Sequence, residues 1–162
     1  MLQDNTSFLT YTNTEMGFAM KYPPDWKVRE NDVLRRYKVM FIPPNRGAYV
    51  AVGITSNVTP EVLARMKASE EQAPSSMSPG IRHFEGDYKH FSLSGYPAVR
   101  IIRTKNYEGP WQPYDVKGMV YGTLVDTTFY TVAYDVTPPE DFPRYLQTAQ
   151  SMIDSFQIIS KQ

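Results

Sequence analysis

The pair Pro23-Pro24, set at the end of an alternating run and followed by Asp25-Trp26, most constrains how this 162-residue chain begins to fold. In Gly17-Phe18-Ala19-Met20-Lys21-Tyr22, the apolar Phe18, Met20 and Tyr22 recur at period two, which places them on one face of a strand. Neither proline can donate to a sheet ladder, so the strand has to stop at Tyr22. Trp26 follows as a large apolar anchor. It is expected in the core, where its burial is worth a few kcal/mol.

The same reading carried along the chain yields both strands and helices. A strand over 8–11 and the turn cluster Thr12-Asn13-Thr14-Glu15 make a hairpin with 17–22. Residues 38–42 form a short apolar run stopped by Pro43-Pro44. Asn45-Arg46-Gly47 turns the chain into 49–54, where Val50, Val52 and Ile54 share a face. Thr59 as N-cap, Pro60 at the first helical position and Glu61 in the first turn open a helix with Val62, Leu63 and Met66 on its apolar side. It fades into a loop over 73–80. Strand material resumes over 81–93 and 97–103, and 105–115 reads as a connection rich in proline and aromatics. A hairpin over 117–125 and 128–136 turns at Asp126-Thr127, with Tyr130, Val132, Tyr134 and Val136 on one face.

The last element is a helix. Thr137 and Glu140 have capping-box spacing, with Pro138 at the first helical position. Phe142, Tyr145, Leu146, Ala149, Met152, Ile153 and Phe156 form one apolar stripe, expected to pack on the face of Tyr130 to Val136. Two strand pairs, a helix, four strands and a helix, with few long crossovers, predict an α+β protein with a largely antiparallel sheet. The expectation is one domain over 1–162, with its core at about 8–158.

Lys plus Arg and Asp plus Glu balance at 17 each, which argues against a broad electrostatic footprint for nucleic acid or an anionic membrane. With no cysteine, disulfides, thiolate metal sites and a cysteine nucleophile are excluded. No run of 18 apolar residues occurs, so no transmembrane helix is expected. Met1-Leu2-Gln3-Asp4-Asn5 lacks the basic start and apolar middle of a signal peptide. The protein is therefore expected either to be cytoplasmic, with Met1 its native start, or to be exported behind a leader since removed.

His83, Glu85, Asp87 and His90 are the densest group of metal-type ligands. On an uninterrupted strand the first three fall in line about 7 Å apart, and His90 faces the other way unless a bulge at Gly86 resets the register. Mixed nitrogen and oxygen donors suit a weakly held zinc or manganese better than calcium, for a metal-binding module or metal-assisted hydrolase. The alternative is a polar edge strand whose charges block edge-to-edge pairing. No Gly-x-Ser-x-Gly elbow, Gly-rich phosphate loop or His-Glu-x-x-His helix is present, so no catalytic residue is assigned and no other cofactor is expected.

Tyr107, Trp111 and Tyr114, among Gly109, Pro110 and Pro113, form the candidate contact surface for a protein partner. Aromatics on a stiffened loop give large contact area at low entropic cost. The competing reading folds Trp111 back over a sheet edge. Arg35-Arg36-Tyr37-Lys38, with Lys27 and Arg29, is either a site for an acidic partner or a solvated rim. Asn5-Thr6-Ser7 and Asn57-Val58-Thr59 are glycosylation sequons, of which about one is expected by chance.

Three ordered segments resemble the PsbP-like family. They are Tyr11-Thr12-Asn13 with Gly17-Phe18 and Tyr22-Pro23-Pro24-Asp25-Trp26; Ser94-Gly95-Tyr96-Pro97-Ala98; and 129–134 with Tyr145-Leu146 and Met152-Ile153-Asp154-Ser155-Phe156. Together they span 8–158, and in flavour the chain is similar to the exported PsbP-like proteins of ammonia-oxidising archaea. The resemblance implies an α-β-α sandwich with a central, largely antiparallel sheet. It also implies a non-catalytic accessory role, docking on a larger, membrane-associated assembly at the outer or lumenal side. The long basic N-terminal extension by which plant members dock on the photosystem has no counterpart here. The same fold also serves as an intracellular GTPase-binding adaptor, the second role the resemblance admits.

Overall fold

A computed structural model of the chain describes residues 7–32, 37–45, 47–71, 90–108 and 113–159. Among these the order is β1 (Leu9–Asn13), β2 (Phe18–Tyr22), β3 (Lys27–Asp32), β4 (Tyr37–Ile42), β5 (Ala48–Thr55), α1 (Pro60–Glu71), β6 (His90–Leu93), β7 (Tyr96–Glu108), β8 (Pro113–Val125), β9 (Thr128–Val136), a short 3-10 turn (Pro139–Asp141), α2 (Phe142–Ser155) and β10 (Gln157–Ile158). The strand that Pro23 ends, β2, is the middle of a three-stranded sheet, β1-β2-β10. A seven-stranded sheet follows the order β3-β4-β5-β9-β8-β7-β6, and every strand pairing is antiparallel. The expected antiparallel α+β architecture therefore holds.

Alternation decides what faces the core. Val39 and Phe41 of β4, Val50 and Val52 of β5, Met119 and Tyr121 of β8, and Tyr130, Val132, Tyr134 and Val136 of β9 form one buried face of the large sheet. Onto it packs the stripe of α2: Phe142, Ala149, Met152 and Ile153, with Phe156 just beyond, are all buried. The Tyr134 and Phe142 rings lie 5.1 Å apart, and the Tyr134 hydroxyl donates to the Phe142 carbonyl at 2.7 Å. The small sheet covers the rest of this face, with Tyr11 and Tyr22 on Phe41 at 5.7 and 5.0 Å, and Phe18 on Phe156 at 5.7 Å. Trp26 closes the seam, 5% exposed, its ring edge-on to Tyr145 at 5.7 Å. These placements of Trp26 and of the α2 stripe are the ones the pattern predicts.

The opposite face is also buried along its centre, at Met40, Ala51, Ala133 and Asp135. Close packing here depends on glycine. Gly118 lies opposite Asp135, and a Cβ on Gly118 would fall on the Asp135 carboxylate. The Asp135 carboxylate accepts the Tyr49 hydroxyl at 2.7 Å. Burial, then the adjacent Asp135 charge, pushes the Tyr49 phenol far above its ordinary range; burial also raises Tyr134. Unfolded tyrosines ionise near pH 10. Above that pH the unfolded chain releases protons that the folded chain retains, so stability falls as pH rises. Below pH 10 the contribution is complete. We expect denaturant titrations at pH 9 to 11.5 to show this alkaline loss, and Tyr49→Phe to reduce its slope, the limit per tyrosine being about 1.4 kcal/mol per pH unit. An unchanged slope would contradict a half-buried Tyr49 held neutral beside Asp135.

Several elements depart from the pattern. β3 and β10 have no counterpart in it, because Lys27-Val28-Arg29-Glu30-Asn31-Asp32 is charged, as befits an edge strand, and β10 is two residues long. The expected connection over 105–115 is mostly strand, since β7 runs to Glu108 and β8 begins at Pro113. The capping box does not form. Thr137 instead donates its hydroxyl to the Asp115 carbonyl at 2.8 Å, and α2 starts at Phe142 after the 3-10 turn. Thr59 does cap α1, its Oγ1 accepting from the Val62 N–H at 3.2 Å.

Candidate functional site

The β7–β8 ribbon is the most distinctive element of the sheet. β9 stays paired to β8 as far as Lys117↔Val136. Beyond that point β7 and β8 continue together through Lys105↔Val116, Asn106↔Asp115, Tyr107↔Tyr114 and Glu108↔Pro113. Four residue pairs correspond to about 13 Å of two-stranded ribbon past the end of β9. Pro113 is tolerated because it opens its strand, where a missing N–H costs least.

The base of the ribbon is pinned. The Thr137 N–H donates to the Gly47 carbonyl at 2.8 Å, while its hydroxyl holds the Asp115 carbonyl. The Lys117 ammonium sits 4.7 Å from the centre of the Phe142 ring, a cation–π contact between ribbon base and helix start. A fixed base is what a rigid scaffold supplies to contact residues carried beyond it.

Tyr107 and Tyr114 occupy directly opposed positions in the ribbon. Trp111 belongs to the Gly109-Pro110-Trp111-Gln112 link, outside the described residues. Two of the three predicted contact residues are thus brought together by register. The signal in the sequence is their symmetry about that four-residue link, which the prolines obscure.

The metal candidates fare differently. His90 opens β6 opposite Val99, whereas His83, Glu85 and Asp87 lie outside the described residues. Among the described residues no three His, Asp or Glu side chains gather into a group able to hold a metal ion. Arg35 and Arg36 also lie outside the described residues. Lys27 and Arg29 are exposed on β3, and Tyr37 packs near Tyr49 at 5.8 Å between ring centres.

A second polar array lies where α2 meets the β6–β7–β8 side of the sheet. The Arg100 guanidinium stands 4.1 Å from the centre of the Phe91 ring, which meets Tyr121 edge-on at 5.7 Å. The Tyr121 hydroxyl donates to Gln150 Oε1 at 3.3 Å, and Gln150 Nε2 donates to the Asp154 carboxylate at 3.0 Å. The array ties helix to sheet through the Tyr121–Gln150 hydrogen bond, backed by the ring and cation–π contacts of Phe91. It was not legible in the sequence, because its members come from four separate elements.

No family model and no curated protein matches the chain by sequence. Solved structures do match, and they define the fold as PsbP-like. Cyanobacterial PsbP (CyanoP) from Synechocystis is similar at a TM-score of 0.67 and 13% identity, over 94% of this chain and 92% of that one. LpqN of Mycobacterium tuberculosis, involved in cell envelope biogenesis, aligns at 0.58 and 15% over 94% and 90%. The Ran-binding protein Mog1p of Saccharomyces cerevisiae aligns at 0.52 and 9% over 94% and 96%. At such identities the likeness fixes the fold alone.

Proposed function

We propose that this protein is a non-catalytic binding domain, exported to the cell surface, that docks through the end of the β7–β8 ribbon on a larger, membrane-associated protein assembly. The observation that carries the reading is the ribbon itself: β7 and β8 stay paired past the end of β9 from a pinned base, with Tyr107 and Tyr114 at partnered register positions. Tyrosine and tryptophan are the side chains most often found at binding hot spots. The chain carries no net charge, which suits a protein partner better than nucleic acid. No helix among the described residues is long and apolar enough to cross a membrane. A place at the cell surface accords with the fold shared with LpqN, a protein involved in cell envelope biogenesis.

The fold of the Ran-binding Mog1p favours one second reading, an intracellular GTPase-binding adaptor. The cellular location of the native protein separates the two. Truncating one interface aromatic to alanine costs about 2 kcal/mol or more at a hot spot. We therefore expect Trp111→Ala, and Tyr107→Ala with Tyr114→Ala, to weaken partner binding about 30-fold or more while leaving the unfolding midpoint almost unchanged. A large loss of stability with binding intact would make these residues a cover for the sheet.

A further inference from the structure

We propose that Asn57 is an N-glycosylation acceptor, a site that rests on the export reading above. It belongs to the sequon Asn57-Val58-Thr59, and the turn between β5 and α1 leaves it exposed. Its backbone is left-handed, with φ 60, a conformation that Asn tolerates better than other non-glycine residues. Its neighbour is fixed: Val58 is 1% exposed, and its N–H donates to the Thr127 carbonyl at 2.8 Å. The turn thus holds the Asn57 amide at the surface while anchoring the next residue in the core. A sugar on Nδ2 extends into solvent and displaces nothing buried.

Thr59, the other half of the sequon, has its hydroxyl engaged in the helix cap once the protein has folded. Its Oγ1 accepts from the Val62 N–H, and it hydrogen-bonds the Glu61 carboxylate. The Glu61 carboxyl lies below its ordinary range, held there first by its own backbone N–H and then by Thr59. A transferase that recognises the sequon hydroxyl finds it free only before α1 closes. Transfer therefore belongs to the translocating chain. The donor is a lipid-phosphate-linked oligosaccharide: the bond from Asn57 Nδ2 to the anomeric carbon forms as the bond from that carbon to the carrier phosphate oxygen breaks. The phosphate leaves with the electron pair, and the amide proton passes to a base of the transferase.

The test is the full chain secreted behind a foreign leader from an N-glycosylating host, followed by peptide mass spectrometry. The Asn57 peptide, resolved from the Asn5 sequon, is expected to carry hexose and N-acetylhexosamine mass and to lose it to an N-glycan amidase. Asn57→Gly suits the left-handed backbone, and is expected to abolish that modification without lowering the unfolding midpoint. Thr59→Ser keeps both hydroxyl roles and is expected to keep the glycan. An unmodified Asn57 in secreted protein, beside an occupied host glycoprotein, overturns the proposal. Because the leader is foreign, finding the native chain inside its own cells sinks the export reading and leaves the result at Asn57 standing.

Discussion

Trp26→Ala is expected to destabilise the fold by about 3–5 kcal/mol, the usual cost of removing a large buried aromatic. In a chain of this length that corresponds to a fall in unfolding midpoint of roughly 6–20 °C. The ring is 5% exposed and meets Tyr145 edge-on where the Pro-Pro stop sends the chain from the small sheet into the large one. The backbone gives no relief, because the Trp26 N–H is held by the Pro23 carbonyl at 3.1 Å. Alanine therefore leaves a cavity at the junction of both sheets and α2. Trp26→Phe should recover much of the loss. Thermal unfolding of the two variants checks this, and an alanine midpoint within about 2 °C of wild type would contradict the placement.

Gly118→Ala is expected to be nearly as damaging for the opposite reason. Its new Cβ would fall on the Asp135 carboxylate, which is 7% exposed and held by the Tyr49 hydroxyl at 2.7 Å. Overpacking costs about 1–3 kcal/mol, and loss of a hydrogen bond to a buried charge adds about 1.5–3 kcal/mol. We expect a total of about 2.5–6 kcal/mol by urea unfolding. Gly122→Ala makes a useful contrast. Its Cβ would meet the Phe129 ring at 2.7 Å, but that ring is only half-buried and can shift, so the cost should sit at the low end of the range. Adding Asp135→Ala to Gly118→Ala removes what the new methyl group collides with, so the double variant should lose less than the sum of the two single changes. Strict additivity would mean that the two positions do not touch.

Local chemistry made one half of this fold legible and hid the other. Period-two alternation in Phe18-Ala19-Met20 and in Tyr130 to Val136, the prolines after Tyr22, and the stripe from Phe142 to Phe156 each specify an element and its buried face without distant information. β3 escaped because an edge strand is charged, and β10 because two residues carry no period. Asp135 reads as a solvent-side residue of β9. Only the pairing of β9 with β5 and β8 shows that Tyr49 and Gly118 enclose it. Likewise Thr137 and Glu140 satisfy the capping-box spacing, yet the Asp115 carbonyl competes successfully for the Thr137 hydroxyl.

The candidate contact site was half legible. Composition singled out Tyr107, Trp111 and Tyr114, but Pro110 and Pro113 made a loop of what is largely ribbon. Register across β7 and β8 is a long-range property, and a single stretch of residues does not reveal it. The metal candidates remain an expectation of spacing alone: on an uninterrupted strand His83, Glu85 and Asp87 would fall in line about 7 Å apart, and all three lie outside the described residues.

Site-directed photo-cross-linking in living cells tests the docking reading most directly. A photoreactive side chain at Tyr107 or Tyr114 samples what touches the ribbon, and one at the exposed Asp126, in the turn at the far end of β8, serves as the control. The account predicts a discrete cross-linked protein of the surface membrane fraction from either ribbon position and none from Asp126. Cross-links from Asp126 alone, or from neither ribbon position in cells where the protein is folded and abundant, would contradict it.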